Sequence, residues 1–105
     1  MEPSMAKLRH IVLFGLKPGV SEAQANELAT RFRALKDSVP GVEAFEWGVD
    51  NSPEGISGGH THCFTLTFAS EAARDAYLPH PKHQEFVAWV GALVEKALVV
   101  DYWAQ

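Results

Sequence analysis

Apolar residues occupy both sides of the first and last extended segments of this chain, and that feature narrows its folds more than any other. In LRHIVLFGL, residues 8–16, Ile11 and Leu13 point one way while His10, Val12 and Phe14 point the other. Near the C-terminus, Val100 and Tyr102 oppose Val99, Asp101 and Trp103 in the same fashion. A strand buried on one face alternates apolar with polar residues, so segments of this kind call for cover on both faces. At 105 residues the chain makes one domain, which buries only about two-thirds of the surface its unfolded form exposes. A partner subunit that covers one sheet face therefore adds usefully to the core.

The order of elements follows from local pattern. After the first strand, Lys17-Pro18-Gly19 is turn chemistry, and Ser21 with Gln24 three positions on forms a capping box. Leu28, Phe32 and Leu35 then recur at helical spacing until Val39-Pro40-Gly41. In VEAFEWGVD, Phe45, Trp47 and Val49 alternate with Glu46 and Gly48, which predicts a second strand. The glycine-bearing NSPEGISGG, 51–59, is a loop, and HTHCFTLTF, 60–68, is the third strand. A second helix starts at Ser70, is interrupted at His80-Pro81 and resumes through HQEFVAWVGALVEKAL with Phe86, Val90, Leu93 and Val94 on one stripe. The chain closes with ALVVDYW as a short fourth strand. The order β-α-β-β-α-β predicts an α+β, ferredoxin-like fold with one four-stranded antiparallel sheet and helices on one face. Packing two such sheets face to face in a homodimer covers the remaining face.

Composition excludes some classes of function. Net charge is −4 with no cluster of Lys or Arg, so the electrostatic footprint of a nucleic-acid binder is missing. The apolar runs are far shorter than a membrane span needs, and the single cysteine, Cys63, rules out an intrachain disulfide. A soluble cytoplasmic protein is expected, with residues 1–6 as an N-terminal extension of a domain spanning 7–105.

The chemistry sits in a few polar residues. If His10, Val12 and Phe14 face the helices, the same interior receives His62, Phe64 and Leu66 from the third strand and Asp101 from the fourth. Imidazoles and carboxylates in an apolar layer must pair with each other, with water or with a ligand. That predicts a pocket. The interrupted helix adds Tyr77 and His83: a histidine can take a proton, a tyrosine can donate one or hold an oxyanion, and a carboxylate can fix an imidazole tautomer. His80 and His83 also have a plainer reading as capping or surface residues. His60 and His62, with His10, raise the alternative of a three-histidine metal site, without any accompanying CxxC or HExxH spacing. Cys63 points to the opposite face and reads as packing, the three tryptophans read as core or interface, and SPEGISGG lacks the spacing of a phosphate-binding loop.

The segments RHIVLFGLKPGVSEAQ, LKDSVPGVEAFEWGVDNSPEG, GGHTHCFTLTFAS, AYLPHPKHQEFV and VVDYW resemble the stress-responsive A/B barrel domain family, Dabb, across residues 7–103. The H-P-x-H motif at His80, Pro81 and His83 is quite specific in that order. The resemblance implies a dimeric α+β barrel without a cofactor, and most family members have no assigned reaction. Some bind an ion through backbone carbonyls, near Lys36 to Val42 here. One branch is enzymatic, a plant polyketide cyclase whose catalytic tyrosine and histidine fall onto Tyr77 and His83. His10, His62 and Asp101 match further polar pocket residues of that branch, while one of its pocket tyrosines aligns with Phe32, a departure. The resemblance therefore implies a homodimer with a small-molecule pocket. Its ligand is expected to be small, apolar or carbonyl-containing, with Val12, Phe14, Phe32, Phe64, Leu66, Phe86 and His62 lining the pocket. The alternative reading is a cofactor-independent cyclase, isomerase or lyase using His83, Tyr77, His10 and Asp101.

Overall fold

A computed structural model describes residues 6–105. The expected N-terminal extension lies outside the described residues except for Ala6. The elements run β1 Leu8–Leu16, α1 Glu22–Ser38, β2 Val42–Val49, β3 His62–Phe68, α2 Glu71–Tyr77, α3 Pro81–Val90 and β4 Val94–Trp103. The four strands form one antiparallel sheet in the order β2-β3-β1-β4, the ferredoxin-like arrangement.

Local chemistry sets the boundaries. The Ser21 side chain accepts from the Gln24 amide while the Gln24 side chain accepts from the Ser21 amide, so the capping box is complete. Gly41, at φ +98°, turns the chain from α1 into β2; a Cβ there would lie 3.0 Å from that of Ala73 in α2, so both backbone and neighbour favour glycine. Two expected boundaries move. β3 begins at His62, leaving His60 and Thr61 in the preceding loop. The resumed helix ends at Val90 rather than running on through Leu93 and Val94, and β4 begins at Val94 rather than Ala97. The chain turns after Gly91, where the amides of Ala92 and Leu93 bond back three residues, and the ladder to β1 then claims Val94–Lys96. Apolar spacing that suits a helix stripe is here divided between a helix end and an edge strand.

All helices lie on one face. The chain is a slab only 17 Å in its thinnest extent, one sheet layer and one helix layer. The core between the layers holds Leu8, Phe64, Leu66, Phe68 and Tyr77, all 2% exposed or less. α1 packs on β2 and α3, and α2 on β2 and β3. The helix layer is thus displaced toward the β2–β3 half, and the β1–β4 half is incompletely covered: Val99, on the helix side of β4, stays 54% exposed. On the other face none of the described residues covers Leu98, Val100 and Tyr102, each close to half exposed.

Candidate functional site

The incomplete cover leaves a cavity of about 760 Å3 between the β1–β4 half of the sheet and the helices. Its apolar walls include Val12, Phe14, Phe32, Phe86, Val90 and Val99. Its polar groups are His10, Arg74, Asp75, His83 and Asp101. A largely apolar hollow with a few convergent polar groups is the usual form of a small-molecule site.

The helix break positions His83. α2 ends at Tyr77 and Leu78 is its C-cap, so the Leu78 carbonyl needs a partner from outside the helix. The amide four residues on, that of Lys82, is already committed, because it donates to His80 Nδ1 at 3.1 Å. His80 is therefore the N-cap of α3, with Pro81 in the first turn. The Leu78 carbonyl instead accepts from His83 Nδ1 at 2.8 Å and from the Gln84 side-chain amide at 2.8 Å. A carbonyl can only accept, so Nδ1 carries the proton and Nε2 of the neutral ring keeps its lone pair. Burial pushes the His83 pKa below its ordinary value; the Leu78 hydrogen bond works against that shift, and the nearby His10 reinforces it.

A second imidazole lies across the cavity. His10 Nδ1 meets Asp101 Oδ1 at 2.8 Å, their residues being directly paired across β1 and β4, and Arg74 Nη1 donates to Asp101 Oδ2 at 3.0 Å. Asp101 thus orients His10, and a backbone carbonyl orients His83.

Of the anticipated pocket residues, the structure brings together His10, Asp101, His83, Val12, Phe14, Phe32 and Phe86. Four do not reach the cavity wall. Tyr77 is fully buried behind it, its ring centroid 4.4 Å from that of His83 and 6.0 Å from that of His10. Its hydroxyl has no hydrogen-bond partner among the described residues, and burial raises its pKa well above 10, so it stays protonated. Phe64 is sealed by Phe32, stacked on it at 4.8 Å, and Leu66 is wholly enclosed in the core. His62 lies at the other end of the sheet, opposite Phe14 rather than His10; its ring stacks on Trp47, its Nδ1 meets the Thr61 hydroxyl at 2.8 Å, and burial lowers its pKa.

The three-histidine metal alternative fails for the same reason. His10 and His62 stand four residues apart along the strand direction, roughly 13 Å at the usual rise, and His60 is in the loop, bonded to the Ser57 carbonyl. Among the described residues no group of three or more His, Cys, Asp or Glu side chains is placed to hold a metal ion.

The sequence reading missed Arg74, whose place could have been inferred. It lies three residues before Tyr77, on the same face of α2, and Asp101 in an apolar strand needs a cationic or donor partner. Val94 of β4 was missed because that stretch was assigned to the helix stripe, and Ala97, expected at the start of the last strand, was not connected with the pocket.

Fold and site together describe a ferredoxin-like α+β domain with a mostly apolar cavity between sheet and helices, lined by two histidines and an aspartate. The chain belongs to the stress-responsive A/B barrel domain family, Dabb, whose model matches residues 8–104. It is 36% identical over 102 residues to the stress-response A/B barrel domain-containing protein HS1 of Arabidopsis thaliana, covering 97% of this chain and 94% of that one. It is 28% identical over 95 residues to olivetolic acid cyclase of Cannabis sativa, covering 90% of this chain and 94% of the cyclase. The structure of hydroxynitrile lyase from Passiflora edulis superposes with a TM-score of 0.89 at 28% identity, covering 98% of this chain and 96% of the lyase. Among the described residues no helix is long and apolar enough to cross a membrane.

Proposed function

We propose that this chain forms a homodimer whose cavity binds a small, mostly apolar carbonyl compound and moves a proton on it, with His83 as general base. The observation that carries this reading is the hydrogen bond from His83 Nδ1 to the Leu78 carbonyl, which leaves Nε2 as a basic lone pair on a ring that lines the cavity. The lowered pKa of His83 keeps that lone pair unprotonated at neutral pH, the state a base needs.

In the proposed step, Nε2 removes a proton from the carbon next to the ligand carbonyl, and the C–H electron pair moves into the enolate. The Tyr77 hydroxyl, protonated and buried behind the wall without a partner among the described residues, becomes the donor to the enolate oxygen once the ligand displaces the side chains in front of it. Return of the proton from the imidazolium to another atom completes an isomerisation, and return of a solvent-derived proton to the same carbon completes an exchange; in a cyclisation the enolate carbon attacks a second carbonyl of the ligand, whose π pair becomes an alkoxide that takes the imidazolium proton, so protons and electrons balance in each case. Related proteins named as a cyclase and a lyase support acid-base chemistry in this fold. Fold likeness leaves the substrate open, and Phe32, where the cyclase branch has a tyrosine, favours a second reading in which the cavity holds its ligand without turnover.

Dimerisation follows from the bare face. A barrel needs a sheet that closes on itself, which four strands from one chain do not supply, and face-to-face pairing would cover Leu98, Val100 and Tyr102. Sedimentation velocity should give a dimer for the native chain and a monomer for Val100→Glu.

The catalytic reading is tested with 2-heptanone in D2O, following deuterium uptake beside the carbonyl by proton NMR. The native protein should accelerate uptake, and His83→Ala should return it to the buffer rate. Saturable binding of the ketone with no acceleration would leave the holding function and remove the enzymatic one.

A further inference from the structure

His10 faces titratable groups from three elements. Asp101 approaches from β4, Arg74 and Tyr77 from α2, and His83 from α3; Asp75, also on α2, engages Arg74 Nε at 3.0 Å. The central unit is a chain of two hydrogen bonds. Arg74 Nη1 donates to one oxygen of Asp101 at 3.0 Å, and the other oxygen accepts from His10 Nδ1 at 2.8 Å. The side chains of Arg74 and Asp101 are 20% and 22% exposed and that of His10 only 6%, so solvent screens the inner bond least.

A carboxylate alone beside a buried imidazole favours the imidazolium, in which both ring nitrogens carry protons and neither accepts. A guanidinium fixed on the carboxylate's far oxygen opposes that preference, since its positive charge disfavours a second cation nearby. Arg74, Asp101 and a neutral imidazole together carry no net charge, and Asp75, on the far side of the guanidinium, is 64% exposed and largely screened by water. Two consequences reach the cavity: His10 Nε2 stays an acceptor, and His83 is spared a full positive charge opposite it.

We propose that Arg74 is a positioning residue which, by sharing Asp101 with His10, keeps His10 uncharged and its Nε2 open to a hydrogen-bond donor of the ligand. Only the catalytic consequence rests on the proton-transfer reading above. The charge of His10 is measurable without any substrate.

Long-range 1H–15N correlation spectra of the imidazoles at pH 7, assigned by single His→Gln variants, read both ring nitrogens directly. In the native protein His10 should show a protonated Nδ1 and a bare Nε2. Arg74→Gln keeps a side chain able to bond Asp101 but removes the charge, and should raise the imidazolium fraction of His10 at pH 7 above that of the native protein. His83 should then titrate at lower pH than in the native protein. Arg74→Lys, which keeps the charge, should leave His10 neutral. In an Asp101→Asn background, Arg74→Gln should no longer charge His10, because the carboxylate that links the two is gone.

An imidazolium at His10 in the native protein, or an imidazolium fraction in Arg74→Gln no higher than the native one, would overturn the proposal. So would equal behaviour of the Gln and Lys variants, which would assign Arg74 a packing role. If the ketone assay shows turnover, Arg74→Gln should also move the acidic limb of its pH profile upward while Arg74→Lys does not. Absence of turnover with the predicted spectra would reject the enzymatic reading and leave the role of Arg74 standing.

Discussion

The two halves of the helix-covered face are built from similar strands and end up different. Over β2 and β3, Phe32, Phe45, Phe64 and Trp47 close into a solid aromatic cluster. Over β1 and β4, the same face ends in a hollow ringed by His10, Asp101 and His83. The histidines show the contrast most clearly: His62 lies flat on Trp47 and is accounted for by packing, whereas His10 and His83 each have one nitrogen tied and line an open space. An interior histidine becomes a candidate for chemistry when the layer above it is incomplete. Here the displacement of the helix layer toward β2 and β3 leaves that gap.

The contrast should break under substitution. Phe64→Ala strikes the solid half, where no group can move in to fill the void, and should cost about 3–5 kcal/mol in urea unfolding. A loss below about 1 kcal/mol would mean that this half is not the rigid one. His83→Ala strikes the hollow half, where space already exists. It should cost under about 1.5 kcal/mol, the range of one hydrogen bond, while removing the exchange of 2-heptanone protons.

Tyr77→Phe separates packing from chemistry at the boundary between the halves. Because the hydroxyl is buried and unpartnered, its removal should leave unfolding stability unchanged or raise it by up to about 1 kcal/mol, yet slow exchange. A clear loss of stability would reveal a partner for the hydroxyl.

The smallest effect expected is on the pH dependence of stability. His83 and His62 both have pKa values below 6.5 in the folded chain because burial disfavours the imidazolium. Between those lowered values and 6.5 the unfolded chain binds more protons, so stability should fall as pH drops through that window and level off below it. His83→Gln should make the decline shallower, and His62→Gln should do so separately. An unaltered slope in both variants would contradict burial as the cause.

Legibility followed the range of the interaction that decides each feature. The capping box at Ser21, the break at Pro81 and the two-sided character of β1 depend on neighbours in sequence, and all three were readable there. The end of α3 was not, because the ladder that turns Val94–Lys96 into strand is formed with β1, some eighty residues earlier. Strand parity put His10, Phe64, Leu66 and His62 on one face but could not reveal where helices would cover it. Hence Phe64, Leu66 and His62 were expected in the pocket and lie outside it, and Tyr77 was expected on its wall and lies behind. The fold follows from the order of elements; the site depends on where a second layer stops.

The account stands most directly on the protonation of one ring. A pH titration of 15N-labelled protein, read at the two nitrogens of His83, should show Nδ1 protonated and Nε2 bare at neutral pH, with a midpoint below 6.5. A proton on Nε2 instead, or a midpoint above 6.5, would contradict His83 as the poised base.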